Sequence, residues 1–351
     1  MEALENLTSN QIVFPHLGID ITINKTAFTI FGISIQWYGL IISIGIILAI
    51  AFGFSQMKRY GLNSDRAIDC IIGGIIGGIV GARAYYVAFS WEEYADDWKS
   101  IFNIREGGLA IYGGIIGAML VGLIVAKVRQ VKILPLLDIA GMGFLIGQGI
   151  GRWGNFTNQE AFGSNTDLPW GMSGGTIQAR ILNMIENGNT DITATELVHP
   201  CFLYESVWCL LGFVILYLYS KHRKYDGQLF LMYVMWYGLG RSFIEGLRTD
   251  SLMLGNIRVS QALAIVLTIT SLILLIVCGS KVKRMGSDYT FYKDTEHSKR
   301  LLEEETKSKN KESKVGKVDA IANEEDTKYT SILSEEDMKD VQHSSDNEDE
   351  I

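Results

Sequence analysis

Arginine, glutamate, asparagine and tyrosine recur in this chain at spacings that bring them together. Tyr237, Arg241, Glu245 and Arg248 stand at i, i+4, i+8 and i+11, one stripe of a helix. The segment Gly151-Arg152-Trp153-Gly154-Asn155-Phe156-Thr157-Asn158-Gln159-Glu160-Ala161-Phe162-Gly163 places Arg152 and further hydrogen-bonding side chains between glycines that permit tight turns. A planar guanidinium offers paired donors to a phosphate. Beside it, the asparagines could bind a glycerol hydroxyl. Blander readings stay open: Glu245 and Arg248 can form an ion-pair ladder that only locks helices, and Asn155 and Asn158 can cap turns. Arg241 stands apart, because its helix offers one carboxylate for two guanidiniums and so leaves a cation uncompensated.

The elements that must position these groups are apolar runs. Seven are expected, at about 38–57, 67–89, 108–127, 133–151, 202–220, 228–247 and 258–280. Each has the length that crosses a hydrocarbon core of roughly 30 Å. The chain opens on a polar, acidic stretch without a basic leader, so no cleavable signal peptide is expected. Residues 1–37 read as an interfacial segment, with Ile19-Asp20-Ile21-Thr22-Ile23 alternating and Trp37 at the lip of the first run. A loop of about 50 residues after the fourth run is too long for a simple connection and is expected to carry function.

Lys58, Arg59 and Arg66, then Lys127, Arg129 and Lys132, then Lys221, Arg223 and Lys224, and finally Lys281, Lys283 and Arg284 follow alternate runs. The other loops are poorer in basic groups, which places the N-terminus outside and the C-terminus in the cytoplasm. In that orientation Tyr38, Arg83, Tyr112, Arg152, Tyr204, Glu205 and Arg241 all lie within roughly 10 Å of the outer boundary, at about 1.5 Å per helical residue. Ionisable groups inside a membrane need partners or water. Here they gather in the outer leaflet, and the inner halves carry little beyond Asp69 and Asp138.

The 351 residues are 48% hydrophobic and include 37 Gly but only 4 Pro. The formal charge of −8 belongs to the end of the chain, which from Met285 holds 19 acidic and 10 basic residues. That composition predicts a disordered acidic tail. Cys70, Cys201, Cys209 and Cys278 lack metal-ligand spacing and read as buried small hydrophobes. Gly73, Gly77 and Gly81, with Gly113 and Gly117, form small-residue stripes suited to close helix packing or, less simply, to a cleft walled by bare backbone. The expected fold is an all-α polytopic membrane protein: an outside segment 1–37, a seven-helix domain 38–284 with a long outside loop between spans 4 and 5, and a tail 285–351. No cofactor, metal or nucleic-acid partner is expected.

The Gly151–Gly163 segment resembles the signature of the bacterial prolipoprotein diacylglyceryl transferases, G-R-x-(G/A)-N-F-x-N-x-E-x-x-G, and matches every fixed position. Other blocks resemble that family in the same order: Trp37-Tyr38-Gly39-Leu40, Gly81-Ala82-Arg83, Glu106-Gly107-Gly108 through Tyr112-Gly113-Gly114, His199-Pro200 with Leu203-Tyr204-Glu205, and Tyr237-Gly238 with Arg241, Glu245 and Arg248. The resemblance runs from about residue 15 to 280 and excludes the tail. It implies seven spans in a bacterial cell membrane. It also implies transfer of a diacylglyceryl group from phosphatidylglycerol to the lipobox cysteine of a prolipoprotein, forming a thioether and releasing glycerol 1-phosphate.

By that resemblance Arg152 and Arg241 are the headgroup and catalytic arginines. Asn155 and Glu160 line the site, Tyr38, Tyr237 and Gly163 support it, and Arg83 joins the phosphatidylglycerol-binding set. Tyr112 stands where many relatives carry a His proposed as the base for the thiol. A phenol that ionises near pH 10 is a poor base at neutral pH. Either Tyr112 is a hydrogen-bonding positioner, or the arginines supply the thiolate with no dedicated base; the second reading is preferred. His199 is the only histidine placed to substitute, though His-Pro more simply shapes the turn before span 5. Two other classes compete: a Gly-rich transporter or lipid-binding scaffold, and a phosphatidylglycerol-consuming transferase with a different acceptor. A transporter should set polar groups near the midplane in repeated halves, and neither feature is seen.

Overall fold

The computed structural model describes residues 7–95, 97–103, 107–188, 191–249, 251–255 and 257–311. Residues through Thr295 form one unit and a second begins at Glu296. The described part of that second unit, 296–311, is helical. The expectation of a tail disordered from 285 is therefore not met over 296–311, and 312–351 lie outside the described residues.

The N-terminal segment is built of strands: β1 (Gln11–Phe14), β2 (Ile19–Thr22), β3 (Thr26–Ile30) and β4 (Ile33–Gln36). β1 pairs antiparallel with β2 on one side and with β5 (Ser173–Gly174) on the other. The alternating segment around Ile19 is the exposed edge, while Ile12, Val13 and Phe14 of β1 are buried. The segment expected to be interfacial is thus a folded one, with β1 built into the protein and β2 left at the edge. Ile12 and Phe14 share a small core with Phe156, Phe162, Met172 and Ile177, the last on α5 (Gly175–Glu186). Residues 1–6 lie outside the described set.

All seven expected runs fall on helices: α1 (Trp37–Met57), α2 (Ser64–Phe89), α3 (Ile111–Val128), α4 (Ile133–Asn158), α6 (Cys201–Tyr219), α7 (Gln228–Leu247) and α8 (Val259–Met285). Among the described residues six helices are long and apolar enough to cross a membrane, and α7 is not among them. Its polar stripe, with Arg241 and Glu245, and its aromatic residues explain the lower hydropathy.

Three close approaches organise these helices. α2 lies on α3 along the glycine stripe, where a Cβ at Gly77, Gly81, Gly113 or Gly117 would come under 3.0 Å from the facing chain. The stripe is spent on packing. α1 lies on α4 at Gly45, whose Cβ would meet Gly147 O at 3.3 Å. α6 and α7 are clasped by Trp208 and Trp236, stacked at 4.4 Å, each indole N–H donating 2.9 Å to the other residue's carbonyl. Gly212 and Gly240, each four residues after a tryptophan, leave room for the two rings.

At the end of the helices away from the β1–β2–β5 sheet, Asp138 accepts the N–H groups of Gly227 and Phe230 at 2.8 and 2.9 Å. It thereby satisfies the free donors at the start of α7. Arg223 bridges Asp138 and Asp226 at 3.1 and 2.8 Å and stacks on Tyr60. Asp69 pairs with Arg129 at 2.5 Å. Asp138 and Asp69 are thus engaged in structural pairs.

Candidate functional site

α4 carries the signature segment seven residues past its expected end. Arg152 and Asn155 are helical rather than in a loop, which corrects the expectation of a turn-rich connection starting at Gly151. The glycines serve packing: a Cβ at Gly154 would stand 2.9 Å from the Tyr38 ring. The helix stops at Gln159, whose φ of +50 turns the chain, and Ala161 follows at +57. Gln159 is buried and fixes that turn. Its amide donates to Ser9 O at 2.7 Å and accepts from Thr176 N at 3.0 Å, tying the N-terminal segment to the start of α5.

Past the turn, Glu160 points back at α4. It accepts from Asn155 Nδ2 at 3.0 Å and Asn158 Nδ2 at 3.4 Å, and Arg180 of α5 approaches it at 3.6 Å. Asn155 Oδ1 in turn accepts from Arg152 at 3.3 Å. Both asparagine side chains therefore donate to one carboxylate, and Asn155 also links it to Arg152, in place of the turn-capping role.

Arg152 makes its ion pair with Glu205, one helix away on α6. Glu205 is also paired with Arg241 at 3.2 Å, and Tyr237 O–H donates to it at 3.4 Å. Arg241 completes an i,i+4 pair with Glu245 at 2.6 Å, and Arg248 lies 4.0 Å from the same carboxylate. The expectation that Arg241 is uncompensated is overturned: the second carboxylate comes from α6. The indole clasp sets this register, because Glu205 lies just before Trp208 and Arg241 directly follows Gly240. Trp153 adds a second tie, donating to Ser206 Oγ at 3.1 Å while Ser206 donates to Gly149 O at 2.8 Å.

The result is a continuous polar chain from Arg180 through Glu160, Asn155, Arg152, Glu205, Arg241 and Glu245 to Arg248. It holds four guanidiniums against three carboxylates. The Glu205 and Glu245 side chains are 3% and 2% exposed, whereas those of Arg152 and Arg241 are 20% and 16% exposed. The acids form a floor and the guanidiniums keep the accessible side.

Gly163 seals one edge. Its N–H donates to His199 O at 2.9 Å and it bridges to Arg248, while a Cβ there would come 2.7 Å from His199 Cβ and 2.9 Å from Cys201 Sγ. His199 Nδ1 faces Tyr204 O–H at 3.1 Å, and Trp170 donates to that hydroxyl at 2.7 Å. Burial pushes the His199 ring below its ordinary value. Trp170 and Tyr204, with Leu203, Val207, Trp208 and Leu211, line an apolar hollow of about 240 Å³ on α6.

Two expected residues sit elsewhere. The Arg83 guanidinium donates to the carbonyls of Ser100, Ile101, Asn103, Gly107 and Gly108, and lies over the Tyr94 ring. Its five N–H groups are thereby engaged on main-chain carbonyls, so it organises the α2–α3 connection and stands apart from the network that contains Arg152 and Arg241. Tyr112 opens α3, 39% exposed. The carboxylate shared by Arg152 and Arg241, the Gln159 cap and the indole clasp were not read from the sequence; only the paired W-x-x-x-G spacings could have hinted at the last.

A family model described as prolipoprotein diacylglyceryl transferase matches residues 25–277, more than half of the chain. The chain is 41% identical over 265 residues to the phosphatidylglycerol–prolipoprotein diacylglyceryl transferase of Clostridioides difficile, covering 76% of this chain and 99% of that protein. It is also 41% identical over 254 residues to the enzyme of the same name from Finegoldia magna, covering 72% and 95%. Against the Enterococcus faecalis enzyme of that name it is 41% identical over 282 residues, covering 80% and 97%.

Proposed function

Since the chain belongs to the prolipoprotein diacylglyceryl transferase family, we propose that its arginine–carboxylate network binds phosphatidylglycerol and passes that lipid's diacylglyceryl group to the lipobox cysteine of a prolipoprotein. The protein is a membrane transferase of lipoprotein biosynthesis. Seven spans are proposed, with α7 as the sixth because it lies packed among α4, α6 and α8. The basic-residue count puts the N-terminus outside and the C-terminus in the cytoplasm, so the network faces the outer leaflet. The transferase domain is taken as 38–284.

In the reaction the cysteine sulfur attacks the glycerol carbon that bears the phosphate. A C–S bond forms, the C–O bond breaks, and its electron pair leaves on glycerol 1-phosphate. The thiol's proton passes to water. A free thiol is only slightly ionised at neutral pH, and neighbouring guanidiniums favour the thiolate. The same cations stabilise charge as it grows on the departing phosphate. Arg152 and Arg241 carry both tasks. Asn155 and Glu160 orient Arg152 and offer hydrogen bonds to the glycerol headgroup. Tyr237, Tyr38 and Gly163 hold the walls, and Tyr112 is a positioner rather than a base. The apolar hollow on α6 suits an acyl chain. Both substrates are held in one membrane, which replaces a two-body search by local alignment.

One observation carries this reading: arginines from α4 and α7 converge on one buried glutamate of α6 while keeping their own accessible side. The test uses the full chain in phosphatidylglycerol nanodiscs with a lipobox peptide, following the thioether product by mass spectrometry. Product is expected with the cysteine peptide and none with its serine counterpart. Undiminished turnover of the serine peptide would point to another acceptor.

A further inference from the structure

We propose that the β3–β4 hairpin is a membrane-inserted edge, its apolar face covered by the acyl chains of the leaflet in which α1 begins. The inference rests on α1 crossing a membrane. The register pairs Phe28 with Ile35 and Ile30 with Ile33, so these four side chains share one face. Thr29 pairs with Ser34 on the other. Sequence alternation has thus built an amphipathic ribbon. Phe28, Ile30 and Ile33 are 44%, 48% and 61% exposed, and Phe31 at the tip is fully exposed.

A lone two-stranded hairpin is marginal in water and needs its apolar face covered. Nothing among the described residues buries this one. Its position names the cover. β4 ends at Gln36 and α1 starts at Trp37 without a break, and Trp37 N–H donates to Lys25 O at 3.0 Å, closing the hairpin base on the start of the span. No charged residue lies between Lys25 and Lys58, so the uncharged stretch covers the hairpin and α1 together. The hairpin therefore continues the lipid-facing surface of the helix. The tip adds a second sign. Phe31 has φ +49 and Gly32 +79. A bulky residue in the left-handed region is strained where Asn or Gly would be at ease. An aromatic ring held out at such a turn gains what it loses once lipid surrounds it.

Site-directed spin labels in the full chain, reconstituted in phosphatidylglycerol-containing nanodiscs on a Cys278→Ser background, provide the test. Ile30→Cys and Ile33→Cys probe the apolar face, Thr29→Cys and Ser34→Cys the polar face, and Ile47→Cys on α1 is the lipid reference. Labels at 30 and 33 should collide with a water-soluble nickel chelate at the rate seen at 47, several-fold below 29 and 34, and should remain accessible to oxygen. Two sites per face keep the comparison decisive if one variant fails to fold. Equal nickel access on both faces, with 47 protected, overturns the insertion while leaving the span intact. Protection from both nickel and oxygen at 30 and 33 also overturns it, in favour of a protein cover. Nickel access at 47 itself defeats the span on which the inference rests.

Discussion

Glu205 holds two guanidiniums and a phenol at once, so it is the residue whose loss the site tolerates least. Replacing it with Ala leaves partly buried cations without a counter-charge, and breaking a buried pair in this way costs about 3–5 kcal/mol. Glu205→Ala should therefore lower the thermal unfolding midpoint in detergent as well as activity, whereas Asn155→Ala should chiefly slow turnover. His199 gives a separate handle. Its ring titrates lower in the folded chain than the unfolded value near 6.5. Below that value the unfolded chain binds the extra proton first, so stability is full above about pH 6.5 and falls with pH through the window beneath it. His199→Gln should flatten that fall in a thermal-shift series between pH 5 and 7. Tyr112→Phe should leave the pH–rate profile unaltered; loss of the rise in rate with increasing pH would make Tyr112 the base. The site arginines and asparagines were legible because their spacing matched a fixed pattern. Glu205 as their shared partner was not: 53 residues separate it from Arg152 and 36 from Arg241, and no sequence period spans such distances. The setting of Arg83 was hidden for a related reason, since main-chain carbonyls can satisfy a guanidinium and leave no trace in the sequence.

Helices α6 and α7 present their charged residues to each other only in the register that the two indoles enforce. Leu at Gly240 would drive into Trp208, and Gly240→Leu should abolish activity by separating Glu205 from Arg241. Gly39→Ala makes the control: nothing lies within 4 Å of its Cβ, and near-normal thioether formation is expected. The seven apolar runs were readable as helices because length and hydropathy report burial in lipid directly. The extension of α4 to Asn158 was hidden by Gly151 and Gly154, which read as turn formers but serve contacts with α1. The β1–β2–β5 sheet was hidden by its brevity: β5 has two residues and joins β1 across more than 150 positions. Its partner strand cannot be seen from either segment alone.

Taken as one molecule, the chain sorts its charge by depth. Structural acids and their arginines lie at the Asp138 end, the arginine-rich chain lies at the opposite end beside the sheet, and apolar surface separates them. The matched family region stops at 277, and the network is complete before it. A chain ending at residue 311 should therefore retain full turnover. The charge count along the loops gives only an expected orientation, whereas the folded chain shows Arg223 closed between Asp138 and Asp226 and Arg152 and Arg241 left partly accessible. The most direct test of the accessible set compares wild type, Arg152→Ala, Arg241→Ala and Arg241→Lys in phosphatidylglycerol nanodiscs, scoring thioether-linked peptide by mass spectrometry with folding verified by thermal shift. Both alanine variants should stay folded yet lose about 100-fold or more of their rate, the scale of removing one preorganised donor to a developing anion, with Lys restoring only part. Unchanged product formation in either alanine variant would contradict the assignment.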